Sequence, residues 1–98
     1  MNYIFHPEAR YELEQAVDFY ESQQANVGLE FLEEIYSTIY RIIDFPQAFP
    51  PISKNARRCL TNRYPFAVIY QIRQNEIFIL AITHLARKPG YWKERKNK

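Results

Sequence analysis

The stretch Glu76–Trp92, Glu-Ile-Phe-Ile-Leu-Ala-Ile-Thr-His-Leu-Ala-Arg-Lys-Pro-Gly-Tyr-Trp, decides the fold. Its first half is apolar on both faces of a strand, because alternation places Ile77, Ile79 and Ala81 on one face and Phe78, Leu80 and Ile82 on the other. Such a strand is typical of the centre of a sheet that is covered on both sides. The sequence therefore predicts that this stretch is the central strand and that the rest of the chain supplies its covers.

The second half of the same stretch carries side chains that bind phosphate, stack on bases or transfer protons. They are His84, Arg87, Lys88, Tyr91 and Trp92. A histidine near neutral pH is the commonest general acid or base, and a buried strand that ends in such a cluster is a common way to build a site. The structural alternative is a hydrogen-bonded histidine at the strand end, followed by aromatic residues that pack on the sheet.

Upstream of this stretch, the periodicity predicts one short strand and two helices. Asn2–Phe5 alternates as a strand does. A helix is expected to begin at Pro7, because proline suits the first helical turn, and to run to about Ala25. A second helix, Val27–Asp44, has a broad apolar face, and Asn26 is expected to cap it. The short polar turn between them makes an antiparallel αα-hairpin, which we expect to cover one face of the sheet.

Between the second helix and the central strand, the pattern predicts a stiff loop and two strands. Prolines mark the loop at 46–51, and the strands are Arg57–Thr61 and Phe66–Ile72, the latter joined to the central strand by a polar turn. Tyr91–Lys98 is expected to form a short helix or a frayed tail. The predicted fold is α+β in the order β-α-α-β-β-β, a single domain of residues 1–98 with a small, largely antiparallel sheet.

Length and composition limit the class of protein. Ninety-eight residues suffice for one core, and 47% hydrophobic content is typical of a globular chain. No apolar run reaches the ~20 residues that span a bilayer, and the first residues lack the features of a signal peptide. The single cysteine, Cys59, provides neither an internal disulfide nor a metal motif. We therefore expect a cytoplasmic protein without membrane contact, metal or other cofactor.

The net charge of +2 conceals a strong asymmetry between the two halves of the chain. Residues 1–50 hold two arginines against nine acidic residues, whereas residues 51–98 hold eleven lysines and arginines against two acidic residues. This asymmetry indicates that the basic half meets a polyanion or an acidic protein segment, unless both halves are ordinary solvated surfaces. The candidate nucleic-acid or target-binding residues are Arg57, Arg58, Arg63, Arg87, Lys88 and Trp92. Arg57 and Arg58 are adjacent in a strand, so they are expected to point to opposite faces.

Four segments of the chain resemble toxins of type II toxin–antitoxin modules, the RelE/ParE superfamily, and above all its ParE-like or plasmid stabilisation branch. The segments are His6–Ala9, Phe45–Pro51, Arg63–Tyr70 and Ile82–Trp92. The resemblance implies a cytoplasmic protein that uses no metal and is neutralised by a small antitoxin that wraps it. Ribonuclease members of the superfamily cut messenger RNA on the ribosome, whereas ParE members poison DNA gyrase.

These two activities make different demands on the chain. Metal-free RNA cleavage needs an acid and a base, with cations at the phosphate; the candidates are His84, Arg87 and Tyr91, with Arg63 as a further cation. Ribonuclease members usually place an arginine in the third strand where Ala67 stands here, and alanine cannot neutralise a phosphate. We therefore expect a toxin that binds gyrase without bond chemistry. The alternatives are a ribosome-dependent mRNA endoribonuclease and a degenerate member that only binds its antitoxin.

Overall fold

The computed structural model describes residues 1–95 and contains the elements in the predicted order. They are β1 (Asn2–Phe5), α1 (Pro7–Gln23), α2 (Val27–Asp44), β2 (Arg57–Leu60), β3 (Phe66–Arg73), β4 (Glu76–His84) and a 3₁₀ helix (Tyr91–Glu94). The predicted α+β class and the β-α-α-β-β-β order are confirmed. The predicted C-terminal helix is the single 3₁₀ turn, and the end of the predicted tail, residues 96–98, lies outside the described residues.

The sheet has four strands in the order β1-β4-β3-β2, so β4 is an inner strand as predicted. β3 pairs antiparallel with β2 and β4, while β1 joins the other side of β4 in parallel. Gln74 and Asn75 close the β3–β4 hairpin with φ angles of 47° and 67°. Two positive φ angles are characteristic of the tight turn that matches the twist of a hairpin. The sheet is therefore mixed, with mainly antiparallel pairing.

A β-bulge in β4 changes the faces that simple alternation predicts. Ile69 of β3 pairs with Ala81, and the next residue of β3 pairs with Ile79. Leu80 lies between these two pairs without a partner of its own, so it is an extra residue. An extra residue shifts the alternation beyond it by one position. The predicted faces are therefore wrong from Ala81 onward: Ala81 packs on the same face as Leu80, and Ile82 packs on the face covered by the helices.

The hairpin of α1 and α2 covers one face of the sheet, as predicted, through a cluster of aromatic rings. The ring of the fully buried Phe31 lies 5.0 Å from that of Tyr20, 5.2 Å from Tyr64 and 4.9 Å from Phe66. Offset and edge-on rings at these distances attract beyond the area that they bury. The cluster thus joins both helices to the start of β3. Neither helix, nor any other within residues 1–95, is long and apolar enough to cross a membrane.

The turn between the helices is held by Glu21. Asn26 occupies the N-cap position of α2 in a left-handed conformation, and its side chain forms no capping bond within the described residues. The Glu21 carboxylate instead accepts hydrogen bonds from the backbone N–H groups of Asn26 and Gly28, each at 3.0 Å. Asn26 is therefore at the predicted N-cap position, but the capping hydrogen bonds come from the Glu21 carboxylate, whose charge also suits the helix dipole.

The other face of the sheet has a much thinner cover. Its buried cluster consists of side chains from β3 and β4 together with Ala56 and Trp92. Trp92 belongs to the 3₁₀ helix and is the buried side chain that this cluster receives from residues 85–95, called here the C-terminal segment; the half-buried Tyr91 of the same segment packs against it. The cover of this face therefore depends on how the C-terminal segment is attached.

Candidate functional site

The C-terminal segment is attached by a carboxylate of α1. The side chain of Glu12 is only 10% exposed, and its Oε1 accepts a hydrogen bond from the backbone N–H of Ile82 at 3.0 Å. Its Oε2 accepts from the Tyr91 hydroxyl at 2.7 Å, from Arg95 at 2.8 Å and from Arg87 at 3.2 Å. Hydrogen bonds in which a partner is charged are among the stronger hydrogen bonds in proteins. Glu12 and its three side-chain partners, called here the Glu12 node, thus tie α1 to both ends of the segment.

Glu12 is not among the candidate residues taken from the sequence, although its spacing contained a signal. The buried residues of α1 are Ala9, Leu13 and Ala16, and Glu12 is three residues after the first and four before the last. These spacings place Glu12 on the buried side of the helix. A carboxylate there requires a partner, because burying an unpaired charge is costly.

The Glu12 node shifts the proton affinities of its own members. Burial raises the pKa of the Tyr91 phenol, and the hydrogen bond to Glu12 raises it further, so Tyr91 is protonated and directs its proton to that carboxylate. Burial alone would lower the pKa of Arg95, whose side chain is 9% exposed. The hydrogen bond and charge of Glu12 outweigh burial and raise that pKa. The node therefore joins the buried side chains of Glu12 and Arg95 to Tyr91 and to the exposed Arg87.

Two of the three candidate catalytic residues, Arg87 and Tyr91, lie together in this node. The guanidinium carbon of Arg87 is 3.5 Å from the centroid of the Tyr91 ring, and that of Arg95 is 4.9 Å away. Both the ring and the hydroxyl of Tyr91 are thus engaged by neighbours. The third candidate, His84, is exposed at the end of β4, and its Nδ1 accepts from the backbone N–H of Ala86 at 3.0 Å.

A cavity of about 260 Å³, called here the basic cavity, lies between the sheet and the C-terminal segment. Its polar lining includes Arg58, His84, Arg87, Lys88 and Lys93, and its apolar lining includes Ala67, Ile69 and Trp92. Among residues 1–95, no aspartate or glutamate lines it. The described residues also contain no group of three or more His, Cys, Asp or Glu placed to hold a metal ion. The chemistry that this cavity offers is the binding of an anion.

The structure brings together only some of the candidate binding residues. Arg58, Arg87 and Lys88 line the basic cavity with exposed side chains, whereas Trp92 lines it with a side chain that is only 6% exposed. Arg58 pairs with Ile69 of the thinly covered face. Arg57 pairs with Tyr70 of the helix-covered face, so the predicted opposite orientation of the two arginines is confirmed.

The remaining two arginines support loops. One Nη of Arg57 donates to the carbonyl oxygen of Phe49 at 2.7 Å and to that of Gln47 at 3.2 Å, which holds the proline-rich loop. Arg63 pairs with Glu34 of α2, with 3.5 Å between its Nε and the carboxylate. Their charges thus stabilise the connections on either side of β2.

An αα-hairpin on a four-stranded mixed sheet, with a basic cavity at the C-terminal end of the inner strand, defines the class of protein. Residues 3–89 match the family described as the ParE toxin of type II toxin–antitoxin system, parDE. The chain therefore belongs to the ParE toxin family. The resemblance noted from the sequence is confirmed, and the coarse function is that of a type II toxin.

The fold is shared with a solved structure of the chromosomal ParDE toxin–antitoxin system from P. aeruginosa. The two chains are 20% identical, the alignment covers 86% of this chain and 95% of the other, and the TM-score is 0.69. At this identity the likeness shows a common fold. None of the curated proteins matches the chain.

Proposed function

We propose that this toxin acts in the cytoplasm by binding DNA gyrase, performs no bond chemistry of its own and is neutralised by a co-encoded antitoxin. Membership of the ParE family supports the gyrase target. The state of the candidate catalytic groups supports the absence of bond chemistry, and the observation that carries this part is the Glu12 node.

A nuclease would need the side chains of Arg87 and Tyr91 to contact its RNA substrate. A general acid must lie within about 2.6–3.2 Å of the oxygen that it protonates. The Tyr91 hydroxyl instead lies 2.7 Å from Glu12, and Arg87 pairs with the same carboxylate. Ala67 presents a methyl group to the basic cavity where a phosphate would need a cation. The loss of one well-placed charge stabiliser typically costs ~100- to 1000-fold in rate, so this arrangement favours binding over cleavage.

One observation favours the second candidate, a ribosome-dependent endoribonuclease. His84, Arg58 and Lys88 all line the basic cavity, and a histidine beside two cations is a reasonable beginning of a metal-free nuclease site. The test must therefore distinguish damage to DNA from damage to messenger RNA.

Controlled expression in a bacterium separates the two targets. We expect DNA replication to stop and strand breaks to appear while translation continues, and we expect His84→Ala to remain toxic, because the proposed activity needs no proton transfer. Replication, breaks and protein synthesis are measured in the same culture. Codon-phased cleavage of ribosome-bound messenger that disappears in His84→Ala would overturn the proposal in favour of the endoribonuclease.

The proposed antitoxin site is a groove beside α1. Tyr11 and Phe19 lie two turns apart on this helix and are both more than half exposed, and they line a largely apolar groove of about 490 Å³ with Phe66 and Ile82. Exposed aromatic side chains at helical spacing suit an amphipathic helix from a partner. Arg87 lines the groove beside Glu12 and offers positive charge to acidic residues of that helix.

Phe19→Gln is expected to weaken antitoxin binding by about tenfold or more, which corresponds to the loss of ~1.4 kcal/mol or more at an anchor of the interface. The measurement is calorimetric titration of the toxin with the product of the neighbouring reading frame. The matched control is Tyr40→Gln, which alters an aromatic side chain of similar exposure in a separate groove on α2. Equal affinities for the two variants would show that the antitoxin helix docks elsewhere.

A further inference from the structure

A second cavity extends the basic cavity across the thinly covered face of the sheet. It has a volume of about 850 Å³, and its lining includes the cations Lys54, Arg73 and Lys93, together with Arg57, whose guanidinium is bound to the proline-rich loop. The two cavities share Trp92 and Lys93, so they are adjacent and together are called here the basic trough. Within residues 1–95, neither cavity is lined by an aspartate or a glutamate.

Four cations of the basic trough are exposed and not neutralised. Lys54, Arg58, Lys88 and Lys93 form no ion pair with any carboxylate of the described residues. Most acidic residues of the chain belong to the helical hairpin, which covers the opposite face of the sheet. The molecule is therefore strongly polarised, and such a distribution of charge orients the trough toward a polyanion.

We propose that the basic trough binds the phosphate backbone of duplex DNA without regard to base sequence. Four unpaired cations across one concave face supply the charge that phosphate contacts require. This activity is separate from gyrase binding, because it needs only the phosphates of the DNA. It would let the toxin hold the DNA on which gyrase acts.

The state of the aromatic rings favours duplex DNA over a single strand. Single-strand binding relies on open aromatic faces on which bases stack. Arg87 covers the ring of Tyr91 at 3.5 Å, and Trp92 is buried beneath the trough, so neither ring offers such a face. The backbone phosphates are then the groups that the trough is equipped to contact.

The position of the trough favours DNA over an acidic peptide. An extended peptide obtains much of its affinity from backbone hydrogen bonds to an exposed strand edge. The floor of the trough is formed by side chains from the face of β3 and β4, such as Ile69 and Leu80, and these two strands are the inner strands of the sheet. A peptide lying there would have charge contacts without a strand edge to pair with.

The proposal is tested by fluorescence anisotropy of the full-length protein, made by cell-free synthesis, with a labelled duplex of about 20 base pairs at increasing salt. Four phosphate contacts predict a slope of log K against log salt between about −3 and −4, or roughly 100-fold weaker binding from ~50 to ~200 mM salt. Two unrelated sequences should bind equally. Arg58→Gln and Lys88→Gln should each make the slope less steep by about 0.9.

Arg10→Gln is the matched control, because Arg10 is an exposed arginine of α1 outside the trough, and it should leave the slope unchanged. Absence of salt-dependent binding, or equal effects of Arg10→Gln and Lys88→Gln, would overturn the proposal. So would binding of poly-glutamate without binding of the duplex, which would make the trough a surface for an acidic protein segment. The assay contains no gyrase, so its failure leaves the proposed gyrase target untouched.

Discussion

Glu12→Ala is expected to lower the free energy of unfolding by about 3–5 kcal/mol, because removal of one partner leaves a buried charge uncompensated. The guanidinium left behind is that of Arg95, whose side chain is 9% exposed and would keep only a longer ion pair of 3.4 Å to the exposed Glu8. The backbone N–H of Ile82 loses its acceptor at the same time. Since the free energy of unfolding of a small domain is only about 5–15 kcal/mol, this loss would be a substantial part of it.

Urea denaturation of two further variants isolates this effect. Glu14→Ala removes an exposed carboxylate two residues away on the same helix and should change the free energy of unfolding by at most about 0.5 kcal/mol. Glu12→Gln keeps an acceptor for Ile82 but removes the charge, so it should lie between the other two. If Glu12→Ala costs no more than Glu14→Ala, the carboxylate does not hold the C-terminal segment.

Trp92→Ala is expected to lower the free energy of unfolding by about 3–5 kcal/mol, the usual cost of truncating a large buried aromatic residue. Trp92 packs with Ile69, Phe78 and Leu80 under the C-terminal segment, and its loss would leave a cavity beneath the basic trough. Trp92→Phe keeps an apolar ring there and should cost clearly less.

Trp92→Ala also decides whether Trp92 contacts the target, as the sequence suggested. Thermal unfolding and growth inhibition are compared for Trp92→Ala, with Leu85→Ala as a control at an exposed apolar position of the same segment. A packing role predicts that toxicity declines together with the melting temperature. Lost toxicity at an unchanged melting temperature would return Trp92 to the binding surface.

Much of the fold was predictable because it depends on local spacing. The limits of α2, Val27–Asp44, follow from apolar residues at helical intervals between a polar turn and a proline-rich loop. The inner position of β4 follows from a run that is apolar on both faces. The bulge at Leu80 was not predictable in this way, because it arises from the pairing of two strands and no glycine or proline marks it.

Only the part of the site that depends on the alternation of side chains along a strand was predictable from the sequence. Alternation alone separated Arg57 from Arg58 correctly. The Glu12 node depends instead on bonds between residues 70 to 83 positions apart, and a carboxylate on a helix does not reveal in sequence which distant cations it will meet. The same bonds determine that Arg87 and Tyr91 are both paired with Glu12.

The most direct test of the proposed function is a cleavage assay with purified gyrase, ATP and supercoiled plasmid, to which the toxin is added before protein is denatured and removed. The proposed function predicts that linear plasmid accumulates with increasing toxin, because the toxin traps gyrase on cut DNA, and that prior addition of the antitoxin prevents this. Undamaged plasmid and undiminished supercoiling at toxin concentrations that stop growth would contradict it.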